Sequence, residues 1–324
     1  MSVKIAEYFG QRTDIAGNSI CPVSGLHNCP FQNNITCLKL TKNLIPVCAV
    51  RKINDDGTDG DLWISCPDRL CATTKGVPLS QYQSDTLFAL ARFVFGPRIS
   101  KEEVYIKREV SLRANDSTNY KADYIMVCVS PFMNSTGPNS LIVEMQGGGE
   151  TTNTGPLTRH LKEWEANPGT VHLNEVIKGV NTLETNAWRR QQEQFLVKGN
   201  VAAQTSKSTG MVFAVGTILF DYLNKKVNLG QLPDMGDAAW DLAIIAFKED
   251  ASKPKAPGPI PLMIDTDRVL FTKYARFVSA LTNQGLPSPE AFKGRFVDLT
   301  NKVRTTDSVN PLLDQLREFF SQSK

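Results

Sequence analysis

Three carboxylates and an amide are spaced so that they could share one ion. Asp123 opens the apolar run Tyr124–Val129, and twenty-one positions later Glu144 and Gln146 sit in Leu141-Ile142-Val143-Glu144-Met145-Gln146. Read as a strand, that run projects Glu144 and Gln146 from one face and Val143 and Met145 from the other, because strand side chains alternate. A carboxylate and an amide on an otherwise apolar strand are costly if buried without partners. Either they reach solvent at a strand end, or something fills the space between them and Asp123. A divalent cation is the natural filler, since Mg²⁺ takes hard oxygen ligands, one or two carboxylates plus substrate phosphates. Glu109, fourteen positions before Asp123, adds a third carboxylate. Such a centre activates water and stabilises charge on a pentavalent phosphorus, which is what phosphodiester hydrolysis requires. Gln146 has no basic group, so its amide is suited to orienting water or touching the scissile phosphate. The bland alternative leaves Glu144 and Gln146 on a solvated strand face. Gly147-Gly148-Gly149 is not a P-loop, because no Gly-Lys-Ser/Thr follows.

A second constellation lies upstream. Cys21, Cys29, Cys37, Cys48, Cys66 and Cys71 fall in the first quarter of the chain, and only Cys128 lies beyond. Their spacings, with 7, 7, 10, 17 and 4 residues between, are not those of a paired zinc ribbon. Four thiolates nevertheless suffice to close one tetrahedral site. Cys29, Cys37, Cys48 and Cys66 are the expected ligands, two of them preceding proline at Cys29-Pro30 and Cys66-Pro67, with Cys21 or Cys71 as substitutes. A site closed by four protein ligands has no open position, so its role is structural. Spacing does not separate zinc, mononuclear iron and an iron–sulfur cluster. The alternative is that these cysteines are small core hydrophobes.

The elements that must hold these groups follow from composition and pattern. With 324 residues, 41% hydrophobic and 21% charged, the chain has room for a sizeable core and two domains. A net charge of +3 excludes a histone-like coat but not a local basic cleft. Three histidines are few for a histidine-built metal enzyme. No run is long enough to span a bilayer and no secretory signal opens the chain, so a cytoplasmic protein is expected. The expected division is a loop-rich cysteine module over 1–75 and a second domain over 76–324. In the latter, Ser80 caps a helix presenting Leu87, Leu90, Ala91 and Val94. Strands are expected at Val104–Leu112, Tyr120–Ser130, Ser140–Gln146, Met211–Phe220 and Trp240–Phe247, the third inside a sheet. Helices are expected at Leu157–Glu165 and Thr185–Lys198. Ser252–Pro261 reads as a loop, and Arg268–Leu281 and Pro311–Phe320 are amphipathic. The mix is α/β or α+β.

Taken together, Asn28-Cys29-Pro30-Phe31, Cys37-Leu38-Lys39, Cys48-Ala49-Val50 and Ile64-Ser65-Cys66-Pro67-Asp68-Arg69-Leu70, followed by Glu109, Asp123 and Glu144-Met145-Gln146, give a chain that resembles type II restriction endonucleases of the NotI/EagI type. The resemblance covers the amino-terminal half and continues more loosely through Asn186-Ala187-Trp188-Arg189-Arg190-Gln191. It implies an α/β fold with a PD-(D/E)XK core, a mixed sheet flanked by helices, behind a four-cysteine structural site that holds iron in the family. It also implies a Mg²⁺-dependent homodimer in the bacterial cytoplasm, cutting a palindromic GC-rich duplex. Asp123 and Glu144 would then be metal ligands and Glu109 an added acid. Gln146 would stand in place of the usual lysine.

A GC-rich site is read chiefly by Arg or Lys donating to guanine in the major groove. The expected readers are Arg189, Arg190, Gln191, Gln192 and Gln194, with a solvated helix face as the alternative. Arg159, Lys162, Lys198 and Lys207 suit phosphate contacts, which position without specifying. Two rivals remain: an iron–sulfur repair or CRISPR-adaptation nuclease, and a non-catalytic metal-dependent DNA-binding regulator.

Overall fold

The first quarter of the chain, expected to be loops around a cross-link, forms a sheet. In the computed structural model β1 (Ser2–Tyr8), β2 (Gln11–Arg12), β3 (Val47–Ile53) and β4 (Asp59–Ile64) are antiparallel in the order β2-β1-β3-β4, with the short helix α1 (Leu38–Thr41) before β3. The structure describes residues 1–17, 19–42, 44–72, 76–113, 119–147, 155–180, 184–236, 238–283, 293–297, 299–301 and 303–306, without the side chains of 184–187, 189, 190, 296, 304 and 306.

Helix α2 (Gln81–Phe95) leads into a six-stranded mixed sheet. Ser80 and Gln83 form a capping box at its start, and the expected residues Leu87, Leu90, Ala91 and Val94 are buried. The sheet comprises β5 (Val104–Arg113), β6 (Asn119–Cys128), β7 (Ser140–Gln146), β8 (Thr209–Gly216), β9 (Leu242–Glu249) and β10 (Leu262–Thr272), in the order β10-β9-β8-β7-β6-β5. β7, β8 and β9 are parallel and the outer pairings antiparallel. Parallel neighbours need a crossover. The helices α3 (Gly155–Ala166) and α4 (Glu184–Thr205) lie between β7 and β8 in the chain, and α5 (Thr217–Val227) between β8 and β9. α2 packs on one face of the sheet; α4, α5 and α6 (Tyr274–Thr282) pack on the other. All eight residues of β8 are buried, as a central parallel strand requires.

Two expected boundaries move. Arg268–Leu281 is half strand, because Val269 to Thr272 pair with Ile245 to Leu242, and α6 starts where Tyr274 N donates to Asp241 Oδ1 at 2.6 Å. Met211–Phe220 likewise turns helical after Gly216. Pro311–Phe320 lies outside the described residues. No helix among the described residues is long and apolar enough to cross a membrane.

The chain divides into Met1–Leu281 and Thr282–Lys324, and the boundary expected near residue 75 falls inside the first unit. The amino-terminal sheet packs outward from itself: Val3, Ile5, Tyr8, Val50 and Trp63 share a core with Leu157, Leu161 and Trp164 of α3 and Ile218 of α5. The second unit contains an antiparallel pair, β11 (Gly294–Val297) and β12 (Val303–Thr306).

A buried ion pair ties the first sheet to the rest of its unit. Arg69 donates to Glu7 at 2.6 and 3.0 Å and also to Tyr82 Oη and Ile260 O, while Ile260 N donates to Glu7 at 2.5 Å. Both side chains are fully buried, so removing one leaves the other charge uncompensated. Arg69→Ala should therefore lower the unfolding free energy by about 3–5 kcal/mol in denaturant titration.

Candidate active site

The ladder between β6 and β7 runs from Val127↔Ser140 to Tyr124↔Val143. Beyond that point side chains take over from the backbone. Asp123 Oδ2 accepts from Met145 N at 2.9 Å, and Glu144 Oε1 accepts from Asp123 N at 3.3 Å. Asp123 and Glu144 thus meet at the fork where the two strands stop pairing. Alternation along β7 orients the fork. Leu141, Val143 and Met145 join α2 in one core, while Ile142 lies with Trp188 and Phe195 of α4 in the other. Glu144, in phase with Ile142, faces α4 and is buried; Gln146 is in phase with it and half-buried.

Glu109 joins them across the next strand pair. The flanking pairs Arg108↔Tyr124 and Val110↔Ala122 place it opposite Asp123. Its φ of 45° is unusual for a non-glycine residue. Its charge contributes to raising the Asp123 pKa, an effect led by burial.

Lys198, expected among the phosphate contacts, is buried beside Glu144. It is 1% exposed, its Nζ lying 2.7 Å from Glu144 Oε2 and 3.0 Å from Gln194 Oε1. Helical spacing explains the placement. Trp188, Phe195 and Ala202 are the buried stripe of α4, and Lys198 falls between the last two on the same face. That periodicity was legible in the sequence, where a lysine on an apolar stripe signals a buried partner. Gln194, expected to read bases, accepts from Lys198, and Glu193 accepts from Tyr120 Oη at 2.6 Å. Gln191 and Gln192 are half-buried on α4, while the side chains of Arg189 and Arg190 lie outside the described residues. Arg159, Lys162 and Lys207 are exposed.

Burial and the neighbouring Asp123 push the Glu144 carboxyl from 4.5 up to about 7, against the pull of Lys198. Between 4.5 and about 7 the folded chain keeps a proton that the unfolded chain has released, so stability falls as pH rises across that window. Glu144→Gln should flatten this slope, as read by denaturant unfolding at both ends of the window.

The cysteines converge as a second cluster. Cys29, Cys37, Cys48 and Cys66 are each 4% exposed and pack together with Phe31. Local backbone geometry delivers them. Asn28 bridges Thr36, bringing Cys29 and Cys37 together, and Cys66 N donates to Cys48 O at 3.1 Å. Pro67 then starts a short 3₁₀ turn at the position where its missing N–H costs nothing. Cys21 is exposed, and Cys71 is buried elsewhere, with Leu70 and Leu87, so neither belongs to the cluster. Burial pushes the Cys29 thiol up to about 12, whereas a hydrogen bond from Cys48 brings Cys66 down to about 7.

Among the described residues, no group of three or more His, Cys, Asp or Glu side chains stands where it could hold a metal ion. The carboxylates are instead engaged by Lys198 and backbone N–H groups. Cys48 Sγ lies 3.7 Å from Pro46 O, and Cys29 Sγ lies 3.6 Å from Asp68 Oδ2. Gly148 and Gly149 lie outside the described residues. No family model matches the chain, and no curated protein is significantly similar to it.

Proposed function

We propose that the protein is a Mg²⁺-dependent type II restriction endonuclease with a PD-(D/E)XK core, acting as a homodimer on a palindromic, GC-rich DNA duplex. The observation that carries this reading is the meeting of Asp123 and Glu144 at the fork of β6 and β7, with Glu109 opposite Asp123. A bound Mg²⁺ would supply charge neutralisation at phosphorus and a more acidic water. Asp123 and Glu144 would hold it, and both are chemically suited, being hard oxygen donors at one point of the sheet. Gln146, on the same face as Glu144, orients the attacking water. Exposed Arg159, Lys162 and Lys207 contact backbone phosphates, and Arg189, Arg190, Gln191 and Gln192 remain the candidate readers. A twofold dimer matches the symmetry of a palindrome, one centre per strand.

Cys29, Cys37, Cys48 and Cys66 have the donor chemistry of a closed structural site for iron or zinc and share one buried cluster, although their side chains do not stand in a metal-holding arrangement. Ion entry would require the thiols to give up the hydrogen bonds they now make.

The test is digestion of a long duplex of known sequence with Mg²⁺, followed by sequencing of the ends. Discrete fragments whose ends share one palindromic GC-rich sequence, with 5′-phosphate and 3′-hydroxyl termini, are expected. Sequence-specific binding that leaves the duplex intact would replace the enzyme with a regulator. A visible absorption band from a bound cluster would favour the iron–sulfur alternative.

A further inference from the structure

Lys198 is the one buried lysine among the described residues. Taking an ammonium out of water is expensive and is offset only when its charge is paired and its donors are met. An ammonium has three N–H donors. Glu144 Oε2 and Gln194 Oε1 accept two. The carboxylates of Asp123 and Glu144 meet at the fork and repel a phosphodiester, Gln146 is neutral, and Lys198 is the cation in contact with Glu144.

We propose that Lys198 is a catalytic residue of this site, donating its third N–H to a non-bridging oxygen of the scissile phosphate as negative charge builds there. This rests on the nuclease reading. Glu144 and Gln194 hold the ammonium in one position, so little reorganisation is needed as the charge develops. No proton leaves the lysine. Its contribution is a fixed positive charge and one hydrogen bond.

Lys198→Gln keeps a donor for Glu144 and removes the charge. The full-length variant is compared with wild type at about pH 9, well above the ordinary carboxylate range, in three measurements: Mn²⁺ titration without DNA, duplex binding without a divalent cation, and single-turnover cleavage. Cleavage should slow by about 10²–10³-fold, the usual effect of removing one transition-state donor. Duplex affinity should stay within about threefold, because ground-state binding is not where the contact acts. Mn²⁺ should bind more than about threefold tighter, since a positive charge beside its carboxylates is gone. A residue that only supports the fold would weaken Mn²⁺ binding and cleavage together. That result, or cleavage within about threefold of wild type, would overturn the proposal. Lys198→Arg should cut at least about tenfold faster than Lys198→Gln, because it restores the charge. Should the glutamine variant not fold, a loss of more than about 10²-fold in a folded arginine variant would itself count against the charge. Wild-type protein that neither binds Mn²⁺ nor cuts any duplex removes the nuclease reading and this inference with it. Wild-type cutting unaffected by Lys198→Gln removes only the inference.

Discussion

Asp123→Asn should reduce DNA cleavage by about 10³–10⁴-fold while leaving the fold and duplex binding in place. The choice of asparagine matters. Asp123 Oδ2 accepts from Met145 N, and an alanine would orphan that buried donor at a cost of about 1–3 kcal/mol. Asparagine keeps an acceptor and removes only the charge. A divalent cation at a phosphoryl centre supplies several kcal/mol of transition-state stabilisation, and each 1.36 kcal/mol is tenfold in rate, which gives about 10³–10⁴-fold for losing one of its two principal ligands. Single-turnover cleavage with a gel-shift control checks it. Undiminished cutting would remove Asp123 from the mechanism. Glu144→Gln should lose activity to a similar extent, with a larger stability penalty, since Lys198 would be left as a buried charge facing an amide.

The second large effect concerns the thiol cluster. Purified protein should carry about one metal ion per chain, because four buried thiols in one place are what a closed structural site needs. Structural metal binding is worth about 10–16 kcal/mol in small four-ligand domains, comparable with the entire 5–15 kcal/mol margin typical of a folded domain. Chelation under reducing conditions, or Cys48→Ala, should therefore unfold the amino-terminal sheet. Because that sheet shares its core with α3 and α5, unfolding should spread and lower the melting temperature of the first unit, as calorimetry would record. Elemental analysis that finds no metal, with unchanged melting after chelation, would leave the cysteines as core hydrophobes.

Some of this was legible in the chain and some was not, for identifiable reasons. Leu141–Gln146 announced both its strand and its polar face, because alternation is local and needs no partner. The Ser80–Gln83 cap was legible for the same reason. The first sheet was not: Ser2 pairs with Ile53, and a contact that far along the chain leaves no local trace beyond a short alternation easily read as loop. Cys29, Cys37, Cys48 and Cys66, expected as ligands of one metal, share a buried cluster but do not stand as a metal-holding group among the described residues, because their arrangement depends on backbone turns that spacing does not encode. The burial of Lys198 was missed because its charge was weighed before its phase. It occupies the stripe of Trp188, Phe195 and Ala202, and phase decides burial. The positive φ of Glu109 is a backbone conformation that strand alternation does not signal.

In the proposed mechanism Asp123 and Glu144 share one divalent cation, and diffraction from Mn²⁺-soaked crystals tests this most directly. A single anomalous peak is expected at the β6–β7 fork, with one oxygen of each carboxylate about 2.1 Å away, the distance of a small hard cation. A fork without a peak at saturating Mn²⁺, with the Lys198–Glu144 pair undisturbed, would contradict it and leave that pair as a structural staple.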